Sequence, residues 1–112
     1  ETRMTKNWLK PPIELRNGYK DKARLAAIHN LPCSLCFLKG WKQKTRTTAH
    51  HKHGGGLGKK SSDLLAMALC DSCHQKGEFA FHKIGRIAWE EKFNVDQDML
   101  IKVTNKMLEN EN

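Results

Sequence analysis

The residues of this chain that are best suited to chemistry are cysteines and histidines, and they occur in short groups. Three of the six histidines fall within the segment 50–53, directly before a stretch with four glycines in five positions. Thiolates and imidazoles are the side chains that zinc and related metals prefer. The four cysteines form two Cys-x-x-Cys pairs with 33 residues between them: Cys33 with Cys36, and Cys70 with Cys73.

The two cysteine pairs predict a structural zinc site. Together they supply four thiolates for a tetrahedral ion, and each pair presents two sulfur atoms on one side of a tight turn. A closed site of this kind leaves no position for a substrate. The N-terminal residues contain no apolar segment of the signal-peptide type, which disfavours two disulfides. Redox chemistry and buried free thiols are the alternatives, although one redox pair would not account for the second pair.

The histidine pair His50-His51 indicates a metal ligand beside a base. A Thr-rich, basic segment leads into the pair and favours a strand, in which neighbouring side chains point to opposite faces. One imidazole can then bind a metal while the other takes a proton from water, since its unperturbed pKa is about 6.5. Asp63 is placed to orient such an imidazole by a hydrogen bond to its second nitrogen.

Further ligand candidates follow the second cysteine pair. His74 comes directly after Cys73, so the zinc knuckle would fix the helix start that carries it. On a continuous helix, Glu78 at i+4 and His82 at i+8 would share a face with His74. His82 could instead pack against Trp89. We expect His29 to be a surface residue and His53 to face solvent or a phosphate, and we assign Trp41, Trp89 and Phe93 to the core.

Composition favours one small domain with an anionic partner. The 112 residues are 38% hydrophobic and carry a formal net charge of +8, from 20 Lys+Arg against 12 Asp+Glu. A thin core of this size often depends on a metal, and a strongly basic surface attracts nucleic acid. No apolar run is long enough to span a membrane. Basic residues flank the histidine segment on both sides and could contact phosphates: Lys42, Lys44, Arg46, Lys52, Lys59 and Lys60.

The remaining sequence predicts a basic N-terminal arm and several helices. Residues 1–19 would form the arm, and residues 20–112 the folded domain. We expect helices over residues 20–29, 84–93 and 97–109, with Asn94 in a left-handed helix end and Asp96 as an N-cap. The apolar positions of the last helix favour a core role over a docking stripe.

The ordered pattern of residues 33–82 resembles that of the HNH nucleases. It reads Cys-x-x-Cys, "AHH", a Gly-rich loop, then "DLLAMALC" and "LC..CH…FH…G…WE", as in small phage-encoded HNH proteins that include the phage recombination-enhancement nucleases. The resemblance implies a small α+β fold: a ββα-metal (His-Me finger) core, a treble-clef zinc site made by the four cysteines, and flanking helices at both ends. Two positions depart from the common pattern, Asp63 in place of asparagine and His50 in place of aspartate.

The resemblance also implies a role for each residue. His50 and His74 would bind a catalytic divalent metal, with His82 or Glu78 as a third ligand. His51 would be the general base and Asp63 would orient it. The implied cofactors are a structural Zn²⁺ and a catalytic Mg²⁺ or another divalent ion such as Mn²⁺, Ni²⁺ or Zn²⁺.

The implied function is metal-dependent endonuclease cleavage of DNA with low sequence specificity, leaving 5′-phosphate and 3′-hydroxyl ends. The resemblance also implies a phage- or bacterium-encoded cytoplasmic protein, with a recombination or packaging protein as a partner. Two alternatives stay open: a zinc-stabilised nucleic-acid-binding module, and a partner-docking protein, both without cleavage.

Overall fold

The computed structural model describes residues 12–52 and 61–111, and it has a small α+β architecture. Its two strands, β1 and β2, form an antiparallel sheet, and helices surround this sheet. The strands are Thr47–His51 and Ala66–Cys70. The helices are α1 (Lys22–Ile28), α2 (Ser34–Lys39), α3 (Phe81–Ile84), α4 (Arg86–Phe93) and α5 (Gln97–Glu111).

The β1–β2 pair places the histidines at one end of the sheet. Its register sets His50 opposite Met67 and His51 opposite Ala66. All five residues of β2 are buried, whereas β1 alternates in part between buried and half-buried positions. The strand predicted to run into His50-His51 is therefore confirmed. β2 carries Met and Leu between small alanines, which suits a strand covered on both faces.

Two groups of buried side chains hold the helices to the sheet. The larger one surrounds Trp89 and Phe81 and includes the cysteines, and the smaller one joins Ile28 of α1 to Met107 of α5. Phe81 and Trp89 meet edge to face, with ring centroids 5.2 Å apart. Burial of such large aromatic side chains stabilises the fold.

Helix ends follow local sequence signals. The Asp21 carboxylate accepts a hydrogen bond from the Arg24 amide at 3.1 Å and begins α1. Asn94 adopts φ 55° at the end of α4, and Asp96 accepts from the Met99 amide at 2.8 Å at the start of α5, both as predicted. The helix predicted over residues 84–93 begins instead at Arg86. Gly85 has φ 90°, which ends α3 and separates it from α4.

The turn after the second cysteine pair is shorter than the sequence predicted. Residues Ser72–Lys76 form one π-helical turn, and the Gly77 amide closes it by donating to the Ser72 carbonyl at 3.1 Å. A Cβ atom at position 77 would lie 2.2 Å from that carbonyl oxygen, so only glycine fits. The expectation that Glu78 and His82 continue one helical face from His74 is therefore wrong.

The aromatic residues assigned to the core divide into two groups. Trp89 is fully buried and Phe93 is partly buried against the larger core group. Trp41 follows the left-handed end of α2 at Gly40 and is 48% exposed, although its ring makes an edge contact with Phe93. The prediction of a core role is wrong for Trp41.

The described part of the N-terminal arm, residues 12–19, contacts the segment that begins at Ser61. The Ser62 hydroxyl donates to the Glu14 carbonyl, and the Asp63 amide donates to the Tyr19 carbonyl at 3.0 Å. These bonds bring the arm beside Asp63. Within the described ranges, no helix combines the length and apolarity needed to cross a membrane.

A buried threonine joins α5 to the free edge of β2. The Thr104 hydroxyl accepts from the Ala68 amide at 3.0 Å and donates to the Leu100 carbonyl at 2.8 Å, and the residue is fully buried. We expect Thr104→Val to lower the free energy of unfolding by about 1–3 kcal/mol, because the Ala68 amide loses its acceptor at nearly unchanged side-chain volume. Urea unfolding of both proteins, each with Zn²⁺ added, measures this change.

Hydrogen exchange separates that effect from packing. The Ala68 amide should exchange faster in Thr104→Val and stay protected in Thr104→Ser, which keeps the hydroxyl. Equal protection in both variants would contradict the assigned bond.

Candidate metal centres and the histidine–aspartate pair

The four cysteine sulfurs form a compact cluster with the dimensions of a zinc site. Sγ–Sγ separations are 3.9 Å for Cys33–Cys73, 4.0 Å for Cys36–Cys70 and 3.6 Å for Cys70–Cys73. A tetrahedron with zinc–sulfur bonds of about 2.3 Å has edges of about 3.8 Å. These distances are far above the disulfide length of about 2.05 Å. The cluster could therefore hold one zinc ion, as the cysteine spacing predicted.

Local hydrogen bonds position both cysteine pairs. Cys33 begins α2, where its sulfur accepts from the Cys36 amide at 3.4 Å and its own amide donates to the Gln43 side chain at 2.7 Å. Across the cluster, the Thr45 hydroxyl accepts from the Ser72 amide at 3.0 Å and fixes the turn that carries Cys73. Each pair thus lies at the start of a helical turn, with its sulfurs facing the other pair.

The four thiols cannot all ionise at neutral pH without a cation. Burial, and then the charges of Cys33 and Cys70, raise the pKa of Cys36 to about 12. Hydrogen bonds with Cys33 and Cys70 raise the pKa of Cys73, and those with Cys33 and Cys73 lower that of Cys70. A bound divalent ion removes this conflict by stabilising all four thiolates, so its binding would release protons.

Three histidines form a second cluster with metal-ligand spacing. One ring nitrogen of each of His50, His74 and His82 lies within 4.8 Å of the others. The Nε2 atoms of His74 and His82 are 3.0 Å apart, close to the separation of about 3.0 Å expected for adjacent ligands at right angles around an ion about 2.1 Å away. The trio, as we name His50, His74 and His82, could hold a metal ion.

Neighbouring side chains orient the rings of the trio. Nδ1 of His74 lies 2.9 Å from the Thr48 hydroxyl, which leaves its Nε2 facing His82. Nε2 of His50 lies 3.4 Å from Gln97 Oε1, and the His50 ring packs on Phe81 with centroids 4.3 Å apart. Such contacts fix ring orientation and tautomer, as around bound metals. Thr48 and Gln97 carry no sequence signal for this role and were not predicted.

Two members of the trio, His50 and His74, are held in the neutral form that can bind a metal ion. Burial, followed by the nearby His74 and His82, lowers the pKa of His50 to about 3. Burial and then His82 lower the pKa of His74 to about 4. At neutral pH both imidazoles therefore keep a free lone pair, which a metal ion needs. His51 makes a smaller contribution in the same direction to both pKa values, which places it close to the trio.

His51 points away from the buried face of β1 and pairs with Asp63. Its Nε2 lies 2.6 Å from Asp63 Oδ1, and the His51 side chain is 19% exposed while that of Asp63 is 5% exposed. With Nε2 engaged by the carboxylate, Nδ1 is the atom that can accept a proton. The arrangement is that of a base oriented by a buried acid.

The Asp63 carboxylate is in turn fixed by the segment before α1. Asp63 Oδ2 accepts from the Asp21 amide at 2.7 Å, and the Asp63 carbonyl accepts from Arg24 Nε at 2.9 Å. Arg24 also donates to the Ala66 carbonyl at 2.8 Å and so bridges the entry to β2. These contacts join residues that are far apart along the chain, so no local sequence pattern could predict them.

Asp63 stays ionised despite its burial. Burial acts to raise the pKa of Asp63, but the hydrogen bond from the Asp21 amide, the interaction with His51 and the positive charge of Lys20 outweigh it and lower the pKa. A carboxylate in that state can orient a neutral imidazole and stabilise it once it gains a proton.

The other predicted site residues lie outside both clusters. Glu78 is exposed on the segment after Gly77. Arg46 Nε lies 3.7 Å from Asp71, and Lys52 pairs with Asp98 at 2.9 Å, while Lys42 and Lys44 are exposed. Residues 53–60, which hold the remaining predicted contacts, lie outside the described residues: His53, Lys59 and Lys60.

Comparison with known proteins leaves the family open. No family model, no characterised protein and no solved structure matches the chain. A function must therefore be inferred from the geometry of the two clusters and of the His51–Asp63 pair.

The cysteine cluster predicts a zinc ion bound by four thiolates. We expect Cys73→Ser to lose zinc at a chelator concentration that leaves the wild type loaded, and to unfold at lower temperature, because a serine hydroxyl does not ionise at neutral pH. Metal analysis and the visible absorption of the Co²⁺-substituted protein measure this. His74→Ala is the control and should keep the thiolate-bound ion; zinc retention by both variants would contradict the assignment.

The lowered pKa of Asp63 predicts a specific loss of stability in acid. A carboxylate whose pKa is lower in the folded state stabilises the fold above its unfolded pKa of about 3.9, and this stabilisation disappears as the pH falls through the folded value. The Asp63→Asn variant has no carboxyl group at this position that could titrate. We expect the wild type to lose more free energy of unfolding than Asp63→Asn below about pH 4, as measured by urea titrations across pH. Parallel curves of unfolding free energy against pH for the two proteins would contradict this prediction. Loss of zinc in acid would affect both proteins equally and so would not produce the difference.

Proposed function

We propose that this protein is a metal-dependent endonuclease of the HNH (ββα-metal) type that hydrolyses DNA. The observation that supports this best is the juxtaposition at the end of the sheet. β1 directs His50 toward His74 and His82 and the adjacent His51 toward Asp63, so a ligand set and an oriented base occur side by side. The resemblance of residues 33–82 to HNH nucleases agrees with this order of residues.

The base has a defined task in phosphodiester hydrolysis. A phosphodiester resists attack because it is anionic, so the nucleophile must be generated next to it. Nδ1 of His51 would take a proton from water, and the Asp63 carboxylate would stabilise the imidazolium that results. General-base catalysis of this kind contributes about 10²- to 10⁴-fold to the rate.

The trio has a separate task on the phosphate. A divalent ion bound there, such as Mg²⁺, Mn²⁺, Ni²⁺ or Zn²⁺, would offset the charge that builds up in the transition state. His50 and His74 would contribute neutral nitrogen ligands and His82 the third, whereas Glu78 is not part of the cluster. The Phe81 ring packs against the His50 ring and covers one side of that ligand.

Charge supports a nucleic acid as the substrate. The net charge of +8 attracts polyanions, and Lys42, Lys44 and Arg46 are exposed on the segment that leads into β1. Contacts of this kind bind phosphates without reading bases, so we propose low sequence specificity.

Cleavage of supercoiled and single-stranded DNA with added Mg²⁺ or Mn²⁺ tests the proposal. We expect the wild type to cut and His51→Ala to be slower by about 10²-fold or more, because the base is lost. His29→Ala is the matched control: its ring is exposed and its Nδ1 only contacts the Thr47 carbonyl, so it should cut like the wild type. Zinc content should be equal in all three proteins.

Two outcomes would overturn the nuclease proposal. Equal cutting by His51→Ala and His29→Ala would remove His51 from the chemistry. If none of the proteins cuts while all bind DNA in a salt-sensitive manner, a zinc-stabilised binding module is the better description.

A further inference from the structure

A cavity of about 630 Å³ lies beside the cysteine cluster, and its lining includes none of the three histidines of the trio. Cys36, Cys70 and Cys73 form part of its lining, and Trp41, Phe79 and Phe93 supply aromatic surface. One zinc ion occupies far less space than this, so the metal does not account for the cavity. Its volume is in the range that small organic groups occupy in proteins.

Two of these aromatic side chains are exposed to solvent. Trp41 is 48% exposed and Phe79 is 45% exposed, although aromatic groups of this size are normally buried. The Phe93 ring makes an edge contact with the Trp41 ring, with centroids 5.7 Å apart. Lys92 Nζ lies 4.0 Å from the centroid of the Phe79 ring, a cation–π contact that steadies the ring. The aromatic surfaces are therefore held in place and accessible.

The lining of the cavity presents charges of opposite sign at different places. Four thiolates around one Zn²⁺ carry a net charge of about −2, which repels a phosphate from that part of the cavity. Lys42 and Lys44 also line the cavity and are exposed, so they offer positive charge at its surface. A neutral, flat group with a phosphate beside it matches this pattern, whereas an anionic head group in the interior does not.

We propose that this cavity binds an unpaired nucleobase of single-stranded DNA. The base stacks on Trp41 or Phe79, and the adjoining phosphates contact Lys42 and Lys44. Stacking on aromatic side chains combined with a basic rim is the general mode of single-strand binding, and it requires a base that is free of its partner strand. Glu78, which also lines the cavity, can accept a hydrogen bond from an exocyclic amino group.

The position of the cavity connects it to the proposed active site. Cys73 lines the cavity and the next residue, His74, belongs to the trio, so both lie on the turn Ser72–Lys76. A single strand held in the cavity would therefore lie next to the turn that carries His74. The inference thus deepens the proposed nuclease function by assigning it single-stranded or locally unpaired DNA, and its consequence for cleavage rests on that function.

Equilibrium binding without cleavage tests the cavity by itself. All proteins carry His51→Ala and bound zinc, and no other divalent metal is added. Fluorescence anisotropy compares a labelled single-stranded oligonucleotide with the same sequence as a duplex. We expect Trp41→Ala and Phe79→Ala each to weaken single-strand binding by roughly 5- to 150-fold and duplex binding by less than about twofold. Trp41→Phe, which keeps an aromatic face, should retain most of the affinity.

Phe37→Ala is the matched control. Phe37 is 62% exposed and does not line the cavity, so its removal should leave both affinities unchanged. Zinc content and circular dichroism verify that each variant is folded. If Trp41→Ala loses zinc, the binding result of Phe79→Ala tests the proposal instead.

Two results would overturn the proposal: single-strand binding by Trp41→Ala and Phe79→Ala equal to that of Phe37→Ala, or an equal loss for duplex and single strand. Failure of the cleavage assay leaves this binding test intact, so the two proposals fail separately.

Discussion

The rest of the structure depends on the close approach of the four cysteine thiols. The three measured Sγ–Sγ separations are all 4.0 Å or less. The cluster joins the start of α2 to the end of β2, and it fixes the turn that carries His74. In a chain with a thin core, this connection replaces apolar contacts that a larger domain would supply. Because the thiols cannot all ionise unaided, a cation bound to them would stabilise the turn that carries His74.

Strand geometry then separates two kinds of histidine that the sequence places side by side. His50 points into the fold, where burial keeps it neutral, and His51 points to Asp63, where a carboxylate is available to stabilise a proton. One residue of register shift in β1 would exchange these environments. The pairing with β2, whose five residues are all buried, prevents such a shift.

Sequence signals predicted the features that depend on neighbouring residues, but not those that depend on contacts between distant parts of the chain. Cysteine spacing, the strand at His50-His51, and the helix ends at Asn94 and Asp96 depend on neighbouring residues, and each was predicted. The π turn closed at Gly77 depends on one close approach to a carbonyl, and this removed Glu78 from the ligand set. Thr48, Gln97 and Arg24 act through contacts across the fold, so no motif predicts them.

The two clusters differ in whether their side chains must lose protons before they can bind a metal ion, and this difference indicates different roles. The thiols must lose protons to bind an ion, so the cysteine cluster is coupled to folding and suited to permanent occupancy. His50 and His74, with pKa values lowered to about 3 and about 4, need lose none at neutral pH. An ion can therefore enter or leave the trio without a change in their charge. In the proposed nuclease, proton transfer is left to His51, which lies one residue along β1 from His50, and Asp63 orients it.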